Sequence, residues 1–124
     1  MIVLFACIHN SGRSVAAQVL ARAHGLDARS AGSEPGESVN PVVAEVLAER
    51  GLPVTGHVPT LLTYEGVEKA DVVVTMGCGE TCPVFPGKTY EDWAVADPKG
   101  QPLPVVRAIV DDIEARVLDL VARL

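Results

Sequence analysis

Residues 7–14 read CIHNSGRS and stand between an apolar run at residues 2–6 and a helical pattern that starts near Val15. The apolar run is typical of a buried parallel strand. A loop from such a strand into a helix carries backbone N–H groups without helical acceptors, beside the positive end of the helix dipole. We therefore predict an anion-binding loop here. Its predicted binding residues are Ile8, His9, Asn10, Ser11, Gly12, Arg13 and Ser14.

Arg13, Gly12 and Cys7 give this anion-binding loop its predicted chemistry. Arg13 supplies a planar guanidinium that can bind two oxygens of a tetrahedral anion. Gly12 is expected to let the chain turn tightly and approach the anion closely. The field that holds an oxyanion also favours a thiolate, so Cys7 is predicted to be a nucleophile. The alternative is a small buried cysteine with only a packing role.

Other polar residues each allow two interpretations. Ser14 either hydrogen-bonds the thiolate or caps the helix. Asn10 either orders the loop through its side chain or occupies a left-handed backbone position. His9 either tunes the field around the sulfur or faces solvent. His24 and His57 are interpreted as a helix-end residue and a loop residue.

Composition narrows the class of protein. The 124 residues fit one domain, 1–124, and 48% hydrophobic content with 4% aromatic residues predicts a core of Val, Leu, Ala and Ile. The net charge of −6 argues against nucleic acid and anionic membranes as partners. The absence of a membrane-length apolar run and of a basic leader leads us to expect a cytoplasmic protein. Three cysteines do not suit a fully paired disulfide framework.

Apolar periodicity predicts alternating strands and helices. Strands are predicted at residues 2–6, 26–31, 70–76 and 89–93, with irregular chain at 52–60. Helices are predicted at 13–24, from the Asn40 cap and Pro41 to Gly51, at 61–69, and through 106–124 after a loop at 96–104. This order predicts an α/β fold, a three-layer sandwich with a four-stranded parallel sheet covered on both faces.

The carboxyl ends of parallel strands meet at one edge, where ligands bind. That edge should carry Cys7, the loop 77–87, which reads GCGETCPVFPG, and Asp97. A helical turn between Cys78 and Cys82 would place their α-carbons about 6 Å apart, within disulfide range. We predict a redox-active pair near a reactive third cysteine. The alternatives are two partly buried thiols, or a zinc site with Cys7 and His9.

Asp97 and Trp93 lie in or beside the loop 96–104. A carboxylic acid at Asp97 could protonate a leaving oxygen as general acid. The alternative is that Asp97 and Pro98 only initiate a turn. Trp93 is expected to anchor this loop and has no predicted catalytic role.

Three motifs together resemble the arsenate reductases built on the low-molecular-weight protein tyrosine phosphatase fold. They are CIHNSGRS, the strand DVVVTM followed by GCGETCP, and WAVADPKG, in the family's order over nearly the whole chain. The resemblance implies a cytoplasmic enzyme of arsenic resistance that reduces arsenate to arsenite without a cofactor. It implies that Cys7 is the first nucleophile, Arg13 binds the oxyanion and Asp97 is the general acid. Cys78 and Cys82 would be the relay cysteines.

Two features concern the partners of such an enzyme. Thioredoxin-coupled members typically space their relay cysteines further apart. The compact GCGETC form looks like actinobacterial-type relatives, some of which use a mycothiol-type low-molecular-weight thiol and a glutaredoxin-like protein. Some members hold potassium. Asn10 and Ser33 match those positions, but Gln18 and Thr60 stand where acids are expected, so no metal is predicted.

Two other functions compete with this one. A low-molecular-weight protein tyrosine phosphatase needs only Cys7, Arg13 and Asp97, and leaves the other cysteines unused. Lys99, Gly100 and Gln101 follow Asp97, where aromatic residues would be expected to receive a phosphotyrosine ring. A thiol-based arsenite or metal sensor is the non-enzymatic alternative, but neither a DNA-binding helix pair nor a basic face supports it.

Overall fold

The computed structural model describes residues 1–54, 56–77 and 84–124. The strands are β1 (Ile2–Cys7), β2 (Asp27–Gly32), β3 (Val72–Thr75) and β4 (Thr89–Asp92). The helices are α1 (Arg13–Ala23), α2 (Pro41–Glu49), α3 (Tyr64–Lys69) and α4 (Leu103–Arg123). Within the described ranges, the predicted strands are confirmed to within about two residues at each end.

The described strands form one sheet in the order β2-β1-β3-β4, with every neighbouring pair parallel. Phe5 in β1 pairs with Ser30 in β2 and Val74 in β3. All four strands therefore end at the same edge. Cys7 is the last residue of the central strand β1, and the chain after β3 and β4 leaves from the same edge.

Helices cover both faces of the sheet. Val3, Phe5 and Cys7 of β1 face a core shared with α1, α2 and α4. Leu4 and Ala6 face a smaller core completed by α3. This alternation gives three layers and confirms the predicted α/β sandwich.

Helix α2 begins as the sequence predicts. The Asn40 side-chain oxygen accepts hydrogen bonds from the backbone N–H groups of Val42 at 2.9 Å and Val43 at 3.3 Å. Such a cap contributes about 1 kcal/mol. Pro41 is the first helical residue, where a missing N–H costs nothing. Val43, Val46 and Leu47 form its buried stripe.

Helix α1 is buried on several sides. Ala23 near its end is exposed, and Val19 is only partly buried. Ala16, Ala17 and Ala21 are buried, because α1 packs against β1, β2 and α4. Close packing on several sides favours small side chains over one large apolar stripe.

Helix α4 starts earlier than predicted. Pro104 was placed in the preceding loop, but the helix begins at Leu103, so Pro104 occupies its second position. Proline is tolerated there because the first helical turn needs no N–H donor. The predicted helix extends to residue 124, whereas α4 ends at Arg123 and Leu124 is 51% exposed. Within the described part of the chain, no helix combines the length and apolar character needed to cross a lipid bilayer.

Trp93 anchors the chain after β4, as predicted. Its ring packs against Phe5 with centroids 5.6 Å apart, and the side chain is buried. The indole N–H donates to a Glu91 carboxylate oxygen at 3.1 Å. The contact connects the chain that leads to Asp97 to the central strand.

Candidate active site

The loop between β1 and α1 turns carbonyl groups outward. The carbonyls of Cys7, Ile8, His9 and Ser11 accept backbone hydrogen bonds from Ser33, Glu34, Gly36 and Asn40, at 3.2, 2.8, 2.9 and 2.7 Å. In a planar trans peptide the N–H points opposite to the C=O. The following amides, those of Ile8, His9, Asn10 and Gly12, therefore point away from this outer segment. The Asn10 N–H indeed lies 3.3 Å from the Cys7 sulfur.

Gly32 is required for this loop geometry, and its role was missed from the sequence. A Cβ at Gly32 would lie 2.6 Å from the Ile8 carbonyl oxygen and 2.8 Å from the Asn10 nitrogen. Real Cβ atoms do not approach backbone so closely, so the loop can cross the end of β2 only over a glycine. A glycine at the end of a predicted strand was the sole signal.

The Cys7 sulfur is buried and held by hydrogen bonds. Cys7 is 3% exposed, and its sulfur lies 2.8 Å from the Ser14 hydroxyl oxygen. Of the two interpretations for Ser14, the structure shows the contact with the sulfur. Within the described residues, no side chain caps the start of α1.

Asn10 both orders the loop through its side chain and occupies a left-handed backbone position, the two alternatives that the sequence left open. Its φ of 48° is left-handed, and the residue is fully buried. Its side-chain N–H donates to the Ser14 oxygen at 2.8 Å, and its oxygen accepts from the Thr60 backbone N–H at 2.9 Å. The Asn10 side chain therefore orders the loop from a backbone position that asparagine tolerates well.

His57 extends this network and was not predicted as a site residue. Its Nε2 lies 3.2 Å from the Asn10 side-chain oxygen, so the imidazole must donate there. Asn10 then donates to the Ser14 oxygen, which lies 2.8 Å from the Cys7 sulfur. When Cys7 is a thiolate it can only accept, so each member donates to the next and the chain ends on the sulfur.

The charge state of His57 is set mainly by burial. Desolvation lowers the pKa of His57 below its ordinary value, and the positive charge of Arg22 lowers it further. The hydrogen bond to Asn10 opposes both effects. At neutral pH the imidazole is therefore uncharged, with its proton on Nε2.

Arg13 reaches the same cleft from the first turn of α1. Its Nη1 donates to the Val95 carbonyl at 3.3 Å, and its Nη2 lies 4.0 Å from the Asp97 carboxylate. The Arg13 side chain is 12% exposed and that of Asp97 is 56% exposed. Asp97 also accepts a hydrogen bond from the Lys99 backbone N–H at 3.0 Å. Asp97 thus takes part in the turn with Pro98 while its carboxylate stays near Arg13.

The site opens into a cleft of about 490 Å³. Cys7, Arg13 and Asp97 line it. Gly12 also lines it, and a packing contact adds a reason for glycine there. A Cβ at Gly12 would lie 2.9 Å from the Pro98 side chain. Gly12 is needed because Pro98 packs against it.

The other residues named in the sequence analysis have separate outcomes. Cys78 and Cys82 lie outside the described residues, and so does the zinc alternative that needs them. Within residues 1–54, 56–77 and 84–124, no group of three or more potential ligands could hold a metal ion. His9 lines the cleft while its Nδ1 pairs with the Glu34 carbonyl oxygen at 2.9 Å. His24 is exposed, as expected of a helix-end residue.

Ser14→Ala should slow alkylation of Cys7 by iodoacetamide at neutral pH by about tenfold, because the thiolate loses a charge-assisted hydrogen bond. Mass spectrometry of the peptide that contains Cys7 would measure the rate. Ser38→Ala is the matched control, since Ser38 lines the same cleft and is exposed. Equal rates in the two variants would contradict a role for Ser14 at the sulfur.

His57→Gln should make stability less sensitive to acid. With a lowered folded pKa, His57 is protonated in the unfolded chain first, so unfolding becomes easier as pH falls through about 6.5. Glutamine keeps an N–H donor but does not titrate. We expect a smaller loss in the free energy of unfolding between about pH 7 and pH 5, measured by urea denaturation.

His24→Gln is the control for that experiment, because His24 is exposed. It should keep the pH dependence of the parent chain. If His57→Gln shows the same pH dependence as His24→Gln, burial does not govern the titration of His57.

Comparison with known proteins shows similarity to arsenate reductases. The solved thioredoxin-dependent arsenate reductase of Corynebacterium glutamicum is 38% identical with a TM-score of 0.86, over 98% of this chain and 60% of that longer chain. An arsenate reductase structure from Archaeoglobus fulgidus is 36% identical with a TM-score of 0.84, over 97% and 98% of the two chains. A glutaredoxin arsenate reductase of Synechocystis is 30% identical over 98% of this chain and 97% of its own length.

The family comparison covers almost every residue. The sequence profile described as low molecular weight phosphotyrosine protein phosphatase matches residues 2–124. The parallel sheet, the loop after β1 and the nearby Arg13 and Asp97 agree with that match. The chain therefore belongs to the low molecular weight phosphotyrosine protein phosphatase family.

Proposed function

We propose that this chain is an oxidoreductase that reduces arsenate to arsenite. The observation that carries the proposal is the Cys7 sulfur, hydrogen-bonded by Ser14 and Asn10 at the floor of a cleft that Arg13 also lines. Relatives named as arsenate reductases, at 30% to 38% identity, support the choice of substrate.

The first step takes place in the cleft. Arsenate binds through the amides of the loop and the guanidinium of Arg13, which together offset its negative charge. The Cys7 thiolate attacks arsenic and forms an S–As bond. An As–O bond breaks, and Asp97 protonates the departing oxygen so that it leaves as water.

The second step is the reduction itself. The Cys78 thiolate attacks the Cys7 sulfur, an S–S bond forms, and the S–As electron pair stays on arsenic. Arsenic is reduced from the +5 to the +3 state while two thiols are oxidised to one disulfide. Cys82 then attacks Cys78, which frees Cys7 and leaves a Cys78–Cys82 disulfide. This relay rests on the spacing of the cysteines and on the resemblance.

An external thiol must reduce the final disulfide. The partner is either thioredoxin or a mycothiol-type thiol with a glutaredoxin-like protein. One relative is named a thioredoxin-dependent arsenate reductase, which supports the first alternative. Another is named a glutaredoxin arsenate reductase, which supports a glutaredoxin-like partner. Because the cycle needs free thiols, we place the enzyme in the reducing cytoplasm.

A phosphatase is the second candidate, since Cys7, Arg13 and Asp97 line one cleft. A phosphomonoesterase would form a cysteinyl-phosphate at Cys7 and use no other sulfur. Lys99, Gly100 and Gln101 line the cleft beside Asp97, and none offers a ring to a phosphotyrosine. The cleft therefore favours a small oxyanion over an aryl phosphate.

Steady-state turnover separates the two functions. We expect arsenate-dependent oxidation of NADPH with thioredoxin and thioredoxin reductase, or with mycothiol and its glutaredoxin-like partner, and little hydrolysis of p-nitrophenyl phosphate. Cys7→Ser should lower reduction by about a thousandfold or more. Rapid phosphate release with no arsenate-dependent oxidation in either system would favour the phosphatase.

The relay predicts a trapped intermediate. Cys82→Ser should release one equivalent of arsenite and accumulate a Cys7–Cys78 disulfide, because no thiol remains to displace Cys7. Cys78→Ser is the matched variant and should form no such bond. Arsenite and the disulfide-linked peptides would be measured by mass spectrometry. Full multiple turnover by Cys82→Ser with thioredoxin would contradict the relay.

A further inference from the structure

The Nη1 and Nη2 end of the Arg13 guanidinium lies close to Gly77. A Cβ at Gly77 would stand 2.9 Å from Nη1, 3.1 Å from Nη2 and 3.3 Å from Cζ of Arg13. All three atoms belong to the planar head of the arginine. Distances this short mean that the head occupies the space that any side chain at position 77 would need.

Two groups from the chain after β4 also lie close to the guanidinium. The Val95 carbonyl accepts a hydrogen bond from Nη1 at 3.3 Å, and the Asp97 carboxylate lies 4.0 Å from Nη2. Arg13 is thus held between the chain that follows β3 and the chain that follows β4. These neighbours leave the Arg13 side chain 12% exposed.

We propose that Gly77 is a positioning residue for oxyanion binding: its bare backbone sets the plane of the Arg13 guanidinium. The inference rests on the proposed function, in which Arg13 binds the substrate anion. A planar fork binds two oxygens only when its plane faces them, so a tilt weakens binding even though the charge remains. The sequence alone indicates only a flexible glycine.

A side chain at position 77 should separate two properties of the site. The guanidinium would tilt, and affinity for a tetrahedral anion would fall. The hydrogen bonds to the Cys7 sulfur come from Ser14 and Asn10, whereas the three atoms nearest to a Cβ at position 77 all belong to Arg13, so the reactivity of the thiol should change little. General loss of structure would damage both properties together.

Backbone strain has to be controlled for, because Gly77 has a φ of +96°. Gly87 lies in the same β3–β4 connection with a φ of +83°, and a Cβ there would meet no described atom within 4 Å. Gly87→Ala therefore carries a similar conformational cost without a clash, and it serves as the matched control for Gly77→Ala.

The experiment measures alkylation of Cys7 by iodoacetamide with increasing inorganic phosphate. In Gly77→Ala, the phosphate concentration that halves the rate should rise by about tenfold, while the rate without phosphate stays within about threefold. In Gly87→Ala both values should stay within about twofold of the parent chain. Equal phosphate protection in the two variants would overturn the proposal.

A double-mutant cycle tests whether the effect passes through Arg13. Gly77→Ala should weaken phosphate protection no further once Arg13→Ala has removed the guanidinium. If Gly77→Ala alone fails to fold, Arg13→Ala should restore folding in the double variant, measured by thermal unfolding. A Gly77→Ala defect of equal size in both backgrounds would overturn the proposal.

Arsenate reduction by the parent chain is measured in parallel. Absence of turnover would defeat the proposed function without affecting the phosphate comparison. Normal turnover with indistinguishable alanine variants would defeat only the role of Gly77.

Discussion

The site depends on backbone hydrogen bonds between the loop after β1 and the segment after β2. These bonds take up the carbonyls of Cys7, Ile8, His9 and Ser11, and so orient the opposite amides. Backbone groups lose no side-chain entropy when they bind, which makes them well suited to a preorganised anion site. Gly32 makes the arrangement possible because the loop passes directly over its α-carbon.

Local signals predicted much of this fold. The apolar strands, the cap formed by Asn40 and Pro41, and the strand-to-helix position of Cys7 are all properties of short segments. Contacts between distant segments were not predictable. His57 lies 47 residues from Asn10 in sequence, and no local pattern indicates that their side chains meet. The reasons for glycine at Gly12 and Gly32 are likewise contacts with other segments.

One fold here accommodates two chemistries that share their first step. An oxyanion loop with a cysteine and an arginine can lead to hydrolysis or to reduction, depending on which atom next attacks the adduct. Water attacking phosphorus completes a phosphatase cycle, whereas a thiol attacking sulfur completes a reductase cycle. The features that separate them therefore lie outside the loop, after β3 and around Lys99 and Gln101, rather than in the shared cradle.

The position of Cys7 at the end of the central strand limits how far its sulfur can move. β1 is hydrogen-bonded on both sides, to β2 and to β3, so its last residue cannot shift without breaking the middle of the sheet. The nucleophile is thus a stationary target. In any thiol–disulfide exchange at Cys7, the attacking thiol therefore has to move to the Cys7 sulfur. The conformational change then takes place in the segment or partner protein that carries the attacking thiol.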